Sequence, residues 1–443
     1  MPKGGISLLT VQDRIYGLSV LWKEADYNFA LWDKCPDINW DLEYQEFLTK
    51  VIEVDDDLHY YSLLMEFISL LRDGHSYVLM PDYLKPPYQV PIGTTYVSGK
   101  HILCSLPKDC GVKPYGEILS INGILTEEYL KKYAYPYIWH ELPDSQFKQG
   151  LFGYIISCCE RGHVQLETTN GIIHFEKSEN SNAIEQVGEV SLKHPMYSEA
   201  KTYYDSENFR IKITNNEIGI LDIFTFGNDN LQQQIIENLS ILGKCKGFVI
   251  DVRDNGGGSD DNVEAVVRAF IRGPIQGLCT ETLIHNAAFK AYGQYRAIHD
   301  LDLANPWNKK IYDACTHRLY ETLQNPITLP ESAIHLSVPV VILCNSTSAC
   351  ATEIFIILMR YAKRATIVGT TTYGSCGQPY MGALPGGGRY GICTTRTYLP
   401  SGGEFVNKGV SPDIYDEISV EDYLNGFDSV LDKGLQILSS LIE

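Results

Sequence analysis

Residues 337–355 read SVPVVILCNSTSACATEIF, and this stretch decides how the rest of the chain is interpreted. The run Val338–Leu343 is continuously apolar and rich in β-branched residues, which predicts a buried strand. Polar residues follow from Asn345 to Ser348, and apolar residues then recur at helical spacing beyond Glu353. The stretch therefore predicts a strand, a tight turn and a helix, with Cys350 placed where the helix begins.

That placement suggests a chemical role for Cys350. The first turn of a helix has unpaired backbone N–H groups and the positive end of the helix dipole. A thiol at this position is expected to have a lowered pKa and a larger thiolate fraction than a free cysteine. The alternative is that Cys350 is a small buried residue that packs the turn, because free cysteine is among the most buried residue types.

The segment around Cys350 also resembles a known family. The pattern Asn-x-x-Ser-Ala-x-Ala-x-Glu ends at Glu353, a strand is predicted over 365–368, and residues 369–379 read GTTTYGSCGQP. Together these features resemble the tail-specific protease family of serine peptidases, which includes C-terminal-processing and tricorn-core-like enzymes. The family's nucleophile is the serine three residues before the glutamate. In this sequence that position is Cys350.

Length, charge and cysteine usage limit the class of protein. A chain of 443 residues suggests roughly three domains, and 44% hydrophobic with 21% charged residues is ordinary for a globular protein. A net charge of −19 argues against nucleic acid or an anionic membrane as a partner. The N-terminal segment lacks a signal-like apolar region and no run is long enough to span a membrane, so the expected location is the cytoplasm.

The twelve cysteines are expected to be reduced in that compartment. No Cys-x-x-Cys pair or clustered Cys/His spacing occurs, so no metal and no organic cofactor is expected. The family resemblance implies a peptide or protein substrate, and the oligomeric state is left open.

The chain divides into three predicted parts. Residues 1–82 read as a helical unit, 83–195 as a β-rich module, and 196–443 as the catalytic core, with an insertion at 272–336 that would cover the active-site cleft. The family resemblance implies an α/β core of the crotonase/ClpP-like type. Residues 116–123, GEILSING, resemble part of a PDZ-like segment. The chain is predicted to end in one amphipathic helix over 420–442.

A candidate base lies far from Cys350 in the sequence. His75 follows the third predicted helix in LLRDGHS, residues 70–76. A histidine just beyond a helix end commonly caps the dipole. The same motif is recurrent in those family members that use histidine as the base, and this resemblance favours a functional role for His75.

A glycine-rich turn supplies candidate oxyanion donors. Residues 251–258 read DVRDNGGG after a predicted buried strand. The spacing fits neither the dinucleotide pattern Gly-x-Gly-x-x-Gly nor a Walker loop. It resembles the family's oxyanion-hole turn. By that resemblance the N–H of Gly257, or that of Gly258, would act together with the N–H of Ala351.

The resemblance leaves the base and its orienting acid to be assigned. Some family members use a lysine on the loop after the nucleophile helix, but residues 373–377, YGSCG, contain none. His75 is then the best candidate, because histidine is neutral and accepts a proton near neutral pH. Glu404, within a segment similar to the family's Pro-x-Gly-x-x-Phe signature, is the expected orienting acid. The alternative interpretation is that Glu404 is an exposed carboxylate on a strand, without a catalytic role.

The sequence thus predicts a peptidase that forms a covalent acyl-enzyme at Cys350. Cysteine in the serine position allows three interpretations: a natural thiol hydrolase, an engineered replacement of serine, or a relative that has lost hydrolysis. Two alternative functions also remain open. One is a catalytically inactive peptide-binding homologue, and the other is a transpeptidase or cyclase that uses the same thioester.

Overall fold

The computed structural model describes residues 9–84, 92–108, 110–138, 163–176, 186–187, 191–272, 276–324 and 336–443. Within these ranges the protein is a mixed α/β molecule with several sheets, which confirms the predicted α/β, multi-domain class. The α-helices are α1 (Val11–Asn28), α2 (Trp40–Glu53), α3 (Asp57–Ser69), α4 (Thr126–Tyr133), α5 (Pro195–Glu199), α6 (Leu231–Leu242), α7 (Asp260–Phe270), α8 (Ala287–Gly293), α9 (Pro306–Thr316), α10 (Ala351–Tyr361), α11 (Val420–Leu424) and α12 (Ser429–Ile442).

The strands of the first half are β1 (Tyr77–Leu79), β2 (Gly93–Val97), β3 (Lys100–Pro107), β4 (Ile118–Ile121), β5 (Ile124–Leu125), β6 (His163–Thr168), β7 (Gly171–Glu176), β8 (Gln186–Val187), β9 (Lys201–Asp205) and β10 (Phe209–Ile213). The strands of the second half are β11 (Ile218–Ile223), β12 (Gly247–Asp251), β13 (Cys279–Ile284), β14 (Leu319–Gln324), β15 (Val340–Cys344), β16 (Thr366–Gly369), β17 (Pro379–Ala383), β18 (Arg389–Cys393), β19 (Thr395–Tyr398) and β20 (Ile414–Tyr415).

A seven-stranded sheet in the order β20-β16-β15-β12-β11-β10-β9 is the centre of the molecule. The pairs from β11 to β20 are parallel, whereas β10 and β9 extend the sheet in antiparallel fashion. All residues of β11 and β15 are buried, as is typical of parallel strands covered on both faces. Helices α7 and α10 share a core with one face, and α12 packs against the other.

The helical unit and the β-rich module differ in how they are held. Helices α1, α2 and α3 contribute to the same hydrophobic core as the central sheet, through residues such as Leu18 and Phe67. Strands β3, β4, β6 and β7 enclose a separate core with α4, which includes Tyr129 and Leu166. The helical unit therefore covers the central sheet, and the boundaries at residues 82 and 195 stay predictions.

The single C-terminal helix predicted over 420–442 is wrong. Helix α11 ends at Leu424, and α12 begins at Ser429. Gly426 interrupts the helical path with a φ of 68°, and Asp428 caps α12 by accepting the N–H of Leu431 at 3.0 Å. The local amphipathic pattern continues across this break, which is why the sequence periodicity did not reveal it.

Asp428 also fixes α12 to the end of β12. Arg253 donates to both carboxylate oxygens of Asp428, at 2.9 and 2.8 Å, and to both of Asp251. The three side chains are at most 17% exposed, so the guanidinium neutralises two largely buried carboxylates. This ion pair ties the last helix to the turn that follows β12.

We expect Arg253→Ala to lower the free energy of unfolding by about 3–5 kcal/mol, because it leaves two buried carboxylates without a counter-charge. Denaturant unfolding monitored by circular dichroism would measure the change. Lys309→Ala is the matched control, since Lys309 pairs with Asp313 on the surface and its loss should change stability by less than about 0.5 kcal/mol. Equal effects of the two substitutions would contradict this role for Arg253.

Candidate active site

Cys350 lies at the junction between β15 and α10, as the sequence predicts. It is the residue before the first helical position, and its backbone has φ 55° and ψ −120°. A positive φ is uncommon for a residue other than glycine, and such strained residues cluster at functional sites. Its N–H donates to the carbonyl of Ser375 at 2.9 Å and to Oε2 of Glu353 at 3.2 Å. The backbone of Cys350 is therefore held in place from two sides.

The glycine-rich turn lies directly against Cys350. The N–H of Ala349 donates to the carbonyl of Asn255 at 3.1 Å, and the hydroxyl of Thr352 donates to the same carbonyl at 3.0 Å. Gly257 has a φ of 104°, and a Cβ there would lie 2.8 Å from the Cβ of Cys350. Only glycine allows this approach of the turn to the nucleophile position.

The resemblance implies a donor at Gly257 or at Gly258, and the N–H groups of these two glycines differ in their contacts. The N–H of Gly257 donates to Oδ1 of Asn255 at 3.0 Å, so it is already engaged. The N–H of Gly258 has no acceptor among the hydrogen bonds of the described residues. The N–H groups of Ala351 and Gly377 lie beside the thiol of Cys350, where they act to lower its pKa. The available donors beside the nucleophile are thus those of Gly258, Ala351 and Gly377.

The expected lowering of the thiol pKa is wrong in direction. Burial raises the pKa of the Cys350 thiol to about 11, and the negative charges of Asp260 and Glu353 act in the same direction. The backbone N–H groups of Ala351 and Gly377 act to lower the pKa, but they do not outweigh burial. At neutral pH the thiol is protonated, so it needs a base to become a nucleophile.

His75 contacts Ser375, which lies on the loop that hydrogen-bonds to the backbone of Cys350. Its Nδ1 lies 2.5 Å from the hydroxyl of Ser375, the residue whose carbonyl accepts the Cys350 N–H. Burial lowers the pKa of His75, and the negative charge of Asp73 opposes this only in part. The imidazole is therefore neutral near pH 7. Ser375 therefore contacts both residues: its hydroxyl contacts His75 and its carbonyl accepts the N–H of Cys350. His75 and Ser375 are 300 residues apart in the sequence.

Asp73 is the carboxylate that belongs to the His75 loop. It is 4% exposed, and its Oδ2 accepts the hydroxyl of Ser76 at 2.7 Å and the backbone N–H of His75 at 3.2 Å. Its Oδ1 is buried without a hydrogen-bond partner among the described residues. Burial raises the pKa of Asp73, and the nearby imidazole opposes this. Sequence reasoning did not assign Asp73 a role, although the residue lies within the motif that identified His75.

The expectation that Glu404 orients His75 is not supported by its contacts. Its carboxylate forms ion pairs with Lys34 at 2.5 Å and Lys408 at 3.1 Å. The hydrogen bonds to these lysines hold the pKa of Glu404 below its usual range. Within the described part of the chain, Glu404 makes no hydrogen bond or ion pair with His75. The two lysines take the place of the imidazole as partners of this carboxylate.

Glu353 organises the loop that carries Ser375. It is fully buried, and its carboxylate accepts the N–H groups of Gly374 at 2.8 Å, Ser375 at 2.9 Å and Cys350 at 3.2 Å. The hydroxyl of Thr372 is a fourth donor. Burial raises the pKa of Glu353 to about 7 against these hydrogen bonds. Glu353 thus connects the nucleophile to the loop that contacts His75, a role that its position in the sequence motif did not reveal.

A cavity of about 530 Å³ opens beside Cys350. Its walls include Thr280 of β13, the preceding Leu278 and Leu323 of β14, which lie within residues 272–336. A larger cavity of about 1100 Å³ lies at the carboxyl ends of β11 and β12, next to β2, and does not include Cys350. The smaller cavity is the candidate substrate site, because it holds the nucleophile and the N–H donors of Gly258 and Gly377.

The described residues contain no group of three or more His, Cys, Asp or Glu side chains that could hold a metal ion. Nor does any helix in the described part of the chain have the length and apolar character needed to span a membrane.

Comparisons with known proteins agree with this architecture. Residues 217–416 match peptidase family S41. A carboxy-terminal-processing protease of Bartonella bacilliformis is 26% identical over 220 residues, which is 48% of this chain and 42% of that relative. The chain therefore spans less than half the length of that curated relative. The residues that match family S41 include β11, the glycine-rich turn, Cys350 and the loop around Ser375.

Solved structures show the same overall fold. Mature CPAF superposes with a TM-score of 0.73 at 15% identity over 98% of both chains. Mature CPAF complexed with lactacystin superposes with a TM-score of 0.72 at 15% identity, over 98% of this chain and 99% of that chain. A protein of Parabacteroides merdae superposes with a TM-score of 0.53 at 16% identity over 97% of both chains. The chain thus shares its fold with these solved structures. The resemblance to tail-specific, S41-type peptidases is confirmed.

The raised thiol pKa gives a prediction for the reactivity of Cys350. Because the thiolate is the reacting species, the rate of alkylation of Cys350 by iodoacetamide should rise by about tenfold per pH unit from about pH 7 to about pH 10. Mass spectrometry of the adduct at each pH would measure this rate. Cys350→Ala is the control that assigns the labelled peptide. A rate that is constant above about pH 8 would contradict the raised pKa.

Proposed function

We propose that this protein is a peptidase that cleaves peptide bonds through a thioester acyl-enzyme at Cys350, with His75 as general base. The observation that carries the proposal is the setting of Cys350. Its strained backbone places a thiol at a helix start, against a glycine-rich turn and inside a cavity, and its loop contacts a buried neutral histidine. This combination supports a nucleophile with N–H donors at the cavity and a candidate base that contacts Ser375 on the neighbouring loop.

The charge states define how the first step proceeds. Near pH 7 the thiol is protonated and the imidazole is neutral, so the resting pair is uncharged. If Nδ1–H of His75 donates to the hydroxyl of Ser375, the Nε2 lone pair is left to accept the thiol proton. Sγ then attacks the carbonyl carbon of the peptide bond while the proton moves to the imidazole. Asp73 would stabilise the imidazolium that forms.

The remaining steps follow from the backbone donors. The carbonyl oxygen becomes an oxyanion, and the N–H groups of Gly258 and Ala351 would hold it. The intermediate collapses to a thioester when the C–N bond breaks, and the imidazolium gives its proton to the leaving amine. Water, activated by the neutral His75, then attacks the thioester carbon and releases the acid product and the free thiol. Peptides or proteins are therefore the proposed substrates.

We expect Cys350→Ala to abolish turnover of a fluorogenic peptide library, with a loss on the order of 10³-fold or more, because no nucleophile remains. Peptide binding, measured by fluorescence polarisation, should change little. A variant that still cleaves the peptides at the wild-type rate would exclude a thioester at Cys350. Ligated products on addition of a peptide amine would indicate transpeptidation, and binding without any turnover in the wild type would indicate a peptide-binding homologue.

His75→Ala should lower kcat by about 10²–10⁴-fold, the range typical of a lost general base. His59→Ala is the matched control, because His59 is an exposed histidine that contacts Asp56 on the surface of α3. This control should retain full activity. An equal loss in the two variants, or none in His75→Ala, would contradict the assignment of His75 as the base.

A further inference from the structure

The cavity beside Cys350 has an apolar part. The cavity has a volume of about 530 Å³, which is enough for a sizeable side chain, and aliphatic residues form part of its wall. The apolar residues of this wall are Val263, Leu278, Leu323, Ile354 and Leu358. A wall of this kind favours the aliphatic portion of a substrate side chain.

The other part of the cavity is acidic. Asp260, Asp261 and Glu264 line it from the first turns of α7. Glu264 is paired with Arg268, but neither Asp260 nor Asp261 has an ion pair among the described residues. No lysine, arginine or histidine of the described residues lines this cavity. Acidic residues in a first helical turn are commonly explained by the helix dipole alone. Here they also share one cavity with the nucleophile and an apolar wall.

Asp260 lies close enough to Cys350 to affect it electrostatically. Its negative charge contributes to the raised pKa of the Cys350 thiol. Desolvation by the surrounding atoms and the neighbouring Asp261 raise the pKa of Asp260, although the residue as a whole remains exposed. The carboxylate of Asp260 opposes the loss of the thiol proton as long as no positive charge is bound beside it. A cation bound at Asp260 would remove this opposition.

We propose that the cleft selects peptides with a lysine or arginine next to the scissile bond, and that the bound cation assists ionisation of Cys350. This inference rests on the proposed function of the same site. The aliphatic stem of the basic side chain packs against the apolar wall, and its charged end reaches Asp260 and Asp261. The basic side chain thus provides both recognition and part of the activation. An acidic side chain at the same position is repelled.

Recognition is tested by binding to Cys350→Ala, which needs no turnover. Fluorescein-labelled peptides carry lysine, norleucine or glutamate at each position in turn, and fluorescence polarisation measures their Kd. Norleucine keeps the aliphatic stem of lysine and removes the charge. We expect at least tenfold tighter binding of the lysine peptide at one position, and loss of that difference when Asp260→Asn and Asp261→Asn are added. Asp229→Asn, which changes an exposed carboxylate outside the cavity, is the matched control and should keep the preference.

Assistance to ionisation is tested by two measurements on proteins that retain Cys350. Asp260→Asn should increase the rate of Cys350 alkylation at pH 7 by several-fold, because it removes a negative charge from beside the thiol, while Asp229→Asn should leave this rate unchanged. In steady-state kinetics the wild type should show a higher kcat, as well as a lower KM, for the lysine peptide than for the norleucine peptide. Asp260→Asn should abolish this difference in kcat.

The outcomes separate this inference from the proposed function. Cleavage with equal Kd and kcat for lysine and norleucine peptides would overturn the inference while the peptidase function stands. Preferential binding of the lysine peptide without turnover in the wild type would overturn the peptidase function while recognition of the basic side chain stands. A preference for lysine that survives Asp260→Asn and Asp261→Asn would overturn the assignment to these carboxylates.

Discussion

The parallel pairing of β12 with β15 is the constraint on which the candidate site depends. In the register that aligns Asp251 with Leu343, both strands end at the same edge of the sheet, so the turns that follow them meet there. The hydroxyl of Ser348 donates to the carbonyl of Val252 at 2.8 Å and joins the two turns. A shift of register by one residue would move the turns apart by about 3.3 Å, and Gly257 would lose its contact with Cys350.

Burial of the site sets the charges of the groups that would react. The same loss of solvent raises the pKa of the Cys350 thiol and lowers the pKa of the His75 imidazole, so both groups favour their neutral forms. A resting thiolate–imidazolium pair would need a stronger source of compensating charge than two backbone N–H groups provide. The negative charges of Asp260 and Glu353 therefore bear on the reactivity of Cys350, and in the proposed mechanism the charge of a bound peptide would do so as well.

The sequence could predict those parts of the site that local patterns encode. The strand, turn and helix around Cys350 follow from apolar runs and a polar break, and the approach of Gly257 follows from the need for a residue without Cβ. The contact between His75 and Ser375 could not be predicted, because it joins segments that are distant in the chain and depends on how α3 packs on the sheet. The direction of the thiol pKa shift also depends on burial, which a helix-dipole argument does not include. Of the two lysine partners of Glu404, Lys408 lies four residues along the chain, whereas the contact with Lys34 depends on tertiary packing that the sequence does not show.

The setting of Cys350 also bears on why a cysteine can occupy this position. The positive φ at Cys350 costs about 1–3 kcal/mol, and the surroundings maintain it through Ser375, Glu353 and the glycine-rich turn. A site that relied on a preformed thiolate would be expected to lower the thiol pKa, whereas this one raises it to about 11. The arrangement instead suits a nucleophile that stays protonated until a base removes its proton during attack. A hydroxyl nucleophile has the same requirement, so the environment of Cys350 is one in which sulfur and oxygen nucleophiles would be activated by the same route.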